Sequence, residues 1–374
     1  MIKKKENHLR VLFFSSLFET NIGNETYYTQ EINSFIRKYP YVEFLIYTID
    51  RRKNKITRYH KNVLWIERKN WKEFHFFKDM IKIFMKFKPD VIHSVYVVPS
   101  LIMGFFGKFF RVPSILHGRG MDMNYYPFYR LKSKILLKVA SKINNKILTV
   151  SNAMRRDVLK FKIPIKKVIT IYDGVDFVRF NPVNKKFYSN KRLEILHNGR
   201  FSPEKCHDII IKVCKKLRDN NINFHLTLMG VGKLENQVRE LIRRYDLHDF
   251  ITFLGWIDHK KLPNYMINMD LFILPSLTEG LSISALEAMS MKLPMILTKV
   301  GGNPEIAQRV GCILIEKNNH EQLYNAILYY FNNPKDVERG GNINREFIIN
   351  NFNWDTHSKK LYNLYLEFLN RKLK

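Results

Sequence analysis

The chain has 374 residues, of which 45% are hydrophobic, 14% aromatic and 26% charged; this balance excludes intrinsic disorder and leaves room for two domains of about 150 residues, each with its own core. Its 63 Lys and Arg against 34 Asp and Glu give a net charge of +29, which calls for a polyanionic partner: nucleic acid, an anionic membrane face or an acidic substrate. The three cysteines, Cys206, Cys214 and Cys312, are widely spaced and form no CxxC, which argues against a disulfide framework or zinc site and fits a reducing cytoplasm.

From the N-terminus, a basic Met1-Ile-Lys-Lys-Lys is followed by only a short apolar run, too short for a secretory signal. Strands are expected at Leu9 to Phe14, Val42 to Thr48, Val63 to Ile66, Val91 to Ser94, Ser114 to His117, Ile147 to Val150 and Val168 to Ile171. Between the third and fourth, Trp71 to Lys88 reads as one helix whose apolar residues span about 200°, with Lys72, Lys78, Lys82 and Lys86 on the rest. That arc is wider than sheet packing needs, so one edge is a candidate for an anionic membrane interface, the alternative being a thoroughly buried helix with a solvated lysine edge. Arg51-Arg-Lys-Asn-Lys55 and Lys132, Lys134, Lys138 and Lys142 extend the same basic footprint. The stretch Val91 to Leu116 is broken by Pro99, Lys108, Arg111 and Pro113, so no spanning helix is expected.

The polar segment Asn181 to Lys191 lacks apolar periodicity and carries Pro182 near its start, which marks a linker over 181–192. Beyond it strands are expected at Glu194 to His197, His225 to Met229, Ile251 to Phe253, Leu271 to Leu274, Met295 to Leu297 and Cys312 to Ile315, before a last helix from His357 to Leu369. Strands alternating with helices in both halves predict two α/β, Rossmann-like, doubly wound domains, residues 1–180 and 193–355, with residues 356–374 packing back toward the first. Ligands in such sheets sit beyond the carboxyl ends of the strands, so the site is sought in the loops that follow them. Charge divides unevenly: residues 1–180 hold 35 basic and 14 acidic side chains, a net +21, which leaves +8 for the remainder.

The strongest constellation is Pro275-Ser-Leu-Thr-Glu279-Gly280-Leu281-Ser282-Ile-Ser-Ala-Leu-Glu287, which follows an expected strand. Gly280 permits a tight turn, Ser282 can cap the helix, and the amides of Gly280, Leu281 and Ser282 then offer an anion site suited to a diphosphate. Glu279 precedes that helix and Glu287 lies about two turns into it, so both can face one ligand. Taken alone the segment reads more readily as a capped surface helix with two solvated glutamates. It is joined by His197-Asn-Gly-Arg200-Phe-Ser-Pro-Glu-Lys205, which puts a planar guanidinium and a point charge on another strand-following loop.

Taken together, Glu279-x7-Glu287, Asn198-Gly-Arg200 with Pro-Glu-Lys205, Val150-Ser-Asn-Ala-Met-Arg155, Tyr172-Asp-Gly-Val-Asp176 and Val300-Gly-Gly-Asn-Pro-Glu305 resemble the retaining glycosyltransferases of family four. The resemblance covers nearly the whole chain in order. It implies a GT-B fold, two Rossmann-like domains about a central cleft, and transfer of a sugar from a nucleoside diphosphate donor to a glycan or lipid-linked acceptor with retention of configuration, in cell-envelope polysaccharide synthesis. It further implies that Arg200 and Lys205 stabilise the departing diphosphate, that Glu279 contacts the donor sugar and Glu287 the ribose, and that Gly280 to Ser282 sit beside the phosphates. In the first half, Gly23 stands where the family carries a glycine pair near the phosphates, and here one of the pair is replaced. His117-Gly-Arg-Gly-Met-Asp122 is similar to the family's His-Gly-Ser-Asp, which puts His117 at the donor sugar and Arg119 and Asp122 on the acceptor side. The resemblance calls for no metal and no cofactor beyond the donor itself.

Two departures are Cys206, where glycine is common, and Asp173, where asparagine is usual. A nucleic-acid binder is disfavoured because no recognition motif accompanies the basic charge, and other GT-B activities, an epimerase or a phosphorylase, are the nearer alternatives. The expected location is the cytoplasm, with the basic first half able to rest on the inner face of the plasma membrane.

Overall fold

β-branched and aromatic runs of four to eight residues become parallel strands, and the amphipathic stretches between them cross over as helices. The computed structural model describes residues 8–15, 24–49, 55–68, 74–188, 192–308 and 310–372. By contact the chain forms two units, Met1–Tyr172 with Trp354–Lys374, and Asp173–Asn353.

The first unit begins β1 (Leu9–Ser15), α1 (Asn24–Lys38), β2 (Val42–Ile49), β3 (Lys55–His60), β4 (Val63–Arg68), α2 (Phe74–Lys82), β5 (Val91–Val95) and α3 (Val97–Phe110). It continues β6 (Ser114–Gly118), α4 (Met121–Asn124), α5 (Tyr126–Tyr129), α6 (Leu131–Ile143), β7 (Lys146–Thr149), α7 (Asn152–Leu159) and β8 (Val168–Thr170). Among the described residues the sheet order is β3-β4-β2-β1-β5-β6-β7-β8. All neighbours are parallel except β3, which pairs antiparallel with β4 at the edge. β3 is not announced by the sequence because Lys-Ile-Thr-Arg-Tyr-His lacks an apolar run, as befits an edge strand.

The helix expected over Trp71 to Lys88 begins, in the described residues, at Phe74 and loosens into a π-helical turn over Ile83–Phe87, closed by Lys88 in the left-handed region (φ 49°). Phe76, Met80, Ile83 and Phe84 pack into the core with Phe14, Tyr47, Ile92 and Met103. Phe77, Ile81 and Met85 stay exposed, as do Lys78, Lys82 and Lys86. The wide apolar arc therefore serves two surfaces, one buried and one open. Of the cluster Arg51 to Lys55, residues 51–54 lie outside the described residues.

The second unit contains β9 (Leu193–Asn198), α8 (His207–Asp219), β10 (Phe224–Met229), α9 (Glu235–Arg244), β11 (Ile251–Gly255), α10 (Leu262–Met266) and β12 (Leu271–Leu274). There follow α11 (Ile283–Ser290), β13 (Met295–Thr298), α12 (Asn303–Ile306), β14 (Cys312–Ile315), α13 (His320–Asn332) and α14 (Pro334–Asn351). Its sheet, in the order β11-β10-β9-β12-β13-β14, is parallel throughout. Leu196, Phe272, Leu274, Ile296 and Leu297 are fully buried, which is why these strands read as unbroken apolar runs. The final helix, α15 (Trp354–Lys372), belongs to the first unit and buries Leu361, Leu364, Tyr365 and Phe368.

The boundary drawn at residue 180 shifts in the structure. Residues 173–180 belong to the second unit, where Arg345 donates hydrogen bonds to the carbonyls of Phe177 and Phe180 and Ser290 donates to that of Phe180. Residues 181–188 of the segment expected as a linker are likewise held there, while residues 189–191 lie outside the described residues. Lys185 donates to the carbonyls of Ile267 and Met269, and the Tyr188 amide donates to Asp270. Polar composition marked it as loop, and carbonyl groups at a helix end captured its lysine. No helix among the described residues is long and apolar enough to cross a membrane.

Candidate functional site

In the second unit the strand order reverses between β9 and β12, so the chains leaving their carboxyl ends diverge and open a crevice. The two constellations singled out in sequence lie on those loops. Lys205 Nζ and Glu279 Oε1 meet at 2.5 Å, with side chains 16% and 10% exposed. The loops are tied by backbone as well, since the Leu277 amide donates to the Glu204 carbonyl at 2.8 Å. Arg200 is exposed on the same loop. Cys206 adopts φ 53°, the left-handed region that favours glycine, and thereby turns the chain from Lys205 into α8.

On the β12 side, Ser282 Oγ caps α11 by accepting from the Ala285 amide at 3.3 Å. Gly280 and Leu281 are buried beside it. The loop is closed by Gly301 (φ 51°), where a Cβ would fall 1.7 Å from the Glu279 carbonyl oxygen, and the Gly302 amide donates to the Gly280 carbonyl at 3.0 Å. Glu287 is buried within α11, and its Oε1 accepts from His259 Nε2 at 2.5 Å. Arg179 in turn donates to His259 Nδ1 at 3.2 Å, so the ring receives on one side and gives on the other.

The first unit holds a buried polar network. His117, next to last in β6, is fully buried, and its Nδ1 lies 2.8 Å from His93 Nε2, while His93 Nδ1 lies 2.6 Å from the Tyr365 hydroxyl. Burial first, then the neighbouring positive groups, hold His117 well below the ordinary histidine range, and burial above all holds His93 down at about 3. Both rings are neutral at neutral pH. Arg119 is turned inward: its side chain is 8% exposed, donates to Glu31 Oε2 at 2.5 Å and lies over the Tyr28 ring. The other Glu31 oxygen faces His357 Nε2 at 3.1 Å, and His357 Nδ1 donates to the Tyr172 carbonyl. Burial alone would raise Glu31, but the Arg119 guanidinium and then His357 outweigh it and hold the carboxyl at about 2.

Asp122 accepts from the Val97 amide at 2.8 Å at the start of α3. Burial pushes its carboxyl up to about 7, against the pull of that amide and others. Beside it, Tyr96 adopts φ 71° at the end of β5, a strained conformation at the point where the order of this sheet reverses. Gly23 lies outside the described residues.

Residues 181–347 match the model for glycosyl transferases group 1, and residues 33–179 match that for glycosyltransferase family 4. The chain belongs to glycosyltransferase family four. It is 27% identical over 340 residues to an uncharacterized glycosyltransferase of Methanocaldococcus jannaschii, covering 87% of this chain and 90% of that protein. It is 25% identical over 309 residues to the UDP-Gal:alpha-D-GlcNAc-diphosphoundecaprenol alpha-1,3-galactosyltransferase of Escherichia coli, covering 78% and 79%. The fold is shared with sucrose-phosphate synthase of Thermosynechococcus elongatus at a TM-score of 0.84 and 17% identity, over 97% of this chain and 100% of that one.

In this family-four glycosyltransferase, with its GT-B fold, the structure thus brings Lys205 to Glu279, and His93 rather than an open loop to His117. Arg119 and Glu287, expected to face ligands, are each bound by a protein partner. Glu31, His93, His259, His357 and Tyr365 were not expected at either site from the sequence. Only one of these carried a usable signal: His93 follows Val91-Ile92 in the middle of a strand, where a buried imidazole needs a partner.

Proposed function

We propose that this glycosyltransferase moves a hexosyl group from a nucleoside diphosphate donor to a glycan or lipid-linked acceptor, with retention of configuration, in cell-envelope polysaccharide synthesis. The observation that carries the reading is the meeting of Lys205 and Glu279 at the reversal of the second sheet. A departing diphosphate needs positive charge, a sugar hydroxyl needs an acceptor, and the pair supplies both from two strand-following loops tied to each other by backbone. In this reading Arg200 and Lys205 take the diphosphate, and Glu279 exchanges its lysine for the sugar. The backbone of Gly280, Leu281 and Ser282 lies beside the phosphates at the start of α11. Glu287 takes the ribose hydroxyls and His117 the donor sugar. Asp122 is assigned to the acceptor side, and Arg119, turned inward, supports that side through Glu31. The cations do the work a metal would otherwise do, so no metal enters. The Escherichia coli relative, named for a UDP-Gal donor and a diphosphoundecaprenol-linked acceptor, supports this pairing of substrate classes.

The proposed resting place is the anionic inner face of the membrane. Exposed Phe77, Ile81 and Met85 with Lys78, Lys82 and Lys86, and exposed Phe105 and Phe109 with Lys108, offer apolar insertion flanked by cations. The first test is chemical. Nucleoside diphosphate is released from the productive donor only when acceptor is supplied, and Glu279→Ala or Lys205→Ala lowers that release by about 100-fold or more in a folded protein. Wild-type turnover by either variant overturns the site. Consumption of the nucleotide sugar without acceptor would indicate an epimerase, and a requirement for inorganic phosphate a phosphorylase.

A further inference from the structure

His117 ends a chain of three buried groups, and the direction of its hydrogen bonds decides what the ring can offer. The Tyr365 hydroxyl, the two His93 nitrogens and His117 Nδ1 form two contacts, of 2.6 and 2.8 Å, and each contact holds one hydrogen. Two neutral rings and one phenol allow only two arrangements. In one, Tyr365 donates to His93, His93 donates to His117 Nδ1, and His117 carries its remaining hydrogen on Nε2. In the other every bond is reversed, His117 Nε2 becomes a bare lone pair, and the Tyr365 hydroxyl hydrogen is left over.

The two ends differ in what can satisfy them. Tyr365 is fully buried on α15, and its hydroxyl has no hydrogen-bond partner other than His93 among the described residues. A hydroxyl hydrogen left over there finds no acceptor among the described residues, a cost of about 1–3 kcal/mol. His117 Nε2 is also buried and has no partner among the described residues, but it lies at the carboxyl end of β6, where ligands of such sheets bind. A donor left over at that end is paired whenever an oxygen of the substrate arrives.

We propose that Tyr365 and His93 are positioning residues that fix His117 as the Nε2–H tautomer, so that His117 offers a hydrogen-bond donor to a substrate oxygen and cannot serve as a base. The ligand class it fits is an oxygen with a free lone pair: a sugar hydroxyl, a ring oxygen or a phosphate oxygen. This consequence rests on the reading that His117 touches the donor sugar, whereas the tautomer itself does not. It also gives α15 a role beyond packing, because a helix about 250 residues downstream of His117 sets the polarity of its ring.

The test is a two-bond proton–nitrogen correlation spectrum of the full chain labelled with 15N-histidine, with the His117 ring signals assigned by their loss in His117→Gln and, should that variant not fold, in His117→Asn. The expected wild-type pattern is a protonated Nε2 and an unprotonated Nδ1. Tyr365→Phe removes the first donor of the chain, so the two His117 nitrogens should move toward averaged shifts. A protonated Nδ1 in the wild type, or an unchanged His117 pattern in folded Tyr365→Phe, overturns the proposal. Transfer assays separate it from the functional reading. Tyr365→Phe should lower kcat/KM about tenfold, the equivalent of one hydrogen bond. If the spectra match and the rate does not fall, the relay stands and the contact of His117 with substrate is what fails.

Discussion

Glu31→Gln tests the buried network of the first unit while keeping the shape of the side chain. Glu31 is held at about 2 against 4.5 for a free carboxyl, a difference worth about 3 kcal/mol at neutral pH. Because the folded value is depressed, this stability is present above the unfolded value and is lost as pH falls toward 2. The wild type should forfeit about 1 kcal/mol of it by pH 4 and about 2 kcal/mol by pH 3. The variant leaves Arg119 and His357 without their shared carboxylate, so at pH 7 it should unfold about 3 kcal/mol more easily. The deficit should shrink below pH 5, where wild-type Glu31 begins to lose its advantage. Buried His93 and His117 also favour the folded state less as pH falls below the ordinary histidine range; because the Glu31 charge raises His93, their contribution cancels from the difference only at pH values well above 3, where both folded rings are neutral in either protein. Urea unfolding followed by circular dichroism, with Trp65 and Trp354 reporting on the first unit, reads the quantity. A deficit under 1 kcal/mol at pH 7, or one that does not change between pH 7 and pH 3, refutes the account.

Ser282→Ala removes the cap of α11 and should cost about 1 kcal/mol in thermal or urea unfolding of the second unit; no measurable loss would mean that the cap is dispensable. Gly301→Ala places a Cβ onto the Glu279 carbonyl and strains a left-handed residue, so it should displace Glu279 and lower transfer at least tenfold, with activity near wild type as the refuting result. Replacing Lys78, Lys82 and Lys86 together by Glu should abolish flotation with liposomes rich in phosphatidylglycerol while leaving turnover on a soluble acceptor intact. Flotation that ignores anionic lipid would remove the membrane from the functional reading.

Most of the fold was legible because the strands of a covered parallel sheet must be apolar on both faces, so Leu271 to Leu274 or Met295 to Leu297 announce themselves without help from partners. The donor loops were legible for a related reason. A turn from strand to helix that approaches an anion is built from backbone, caps and charges close together in sequence, as in Glu279 to Ser282. The edge strand β3 was hidden because it has one neighbour and little to bury. The break after Lys82 was hidden because periodicity alone does not tell an α-helical turn from a π-helical one.

Sequence by itself thus determined the repeated βα architecture, the motif loops and the excess of positive charge in the first half. Tertiary structure alone decided which charges are open and which are spoken for. Arg119 and Glu287 look like ligands' residues in a linear motif, yet Glu31 and His259 lie 88 and 28 positions away and reach them only after folding. The tautomer of His117 depends on Tyr365, whose hydroxyl meets His93 across 272 positions. A buried polar group must be paired, but the sequence does not say with whom; that is settled by which strand ends and helix faces the sheet brings together.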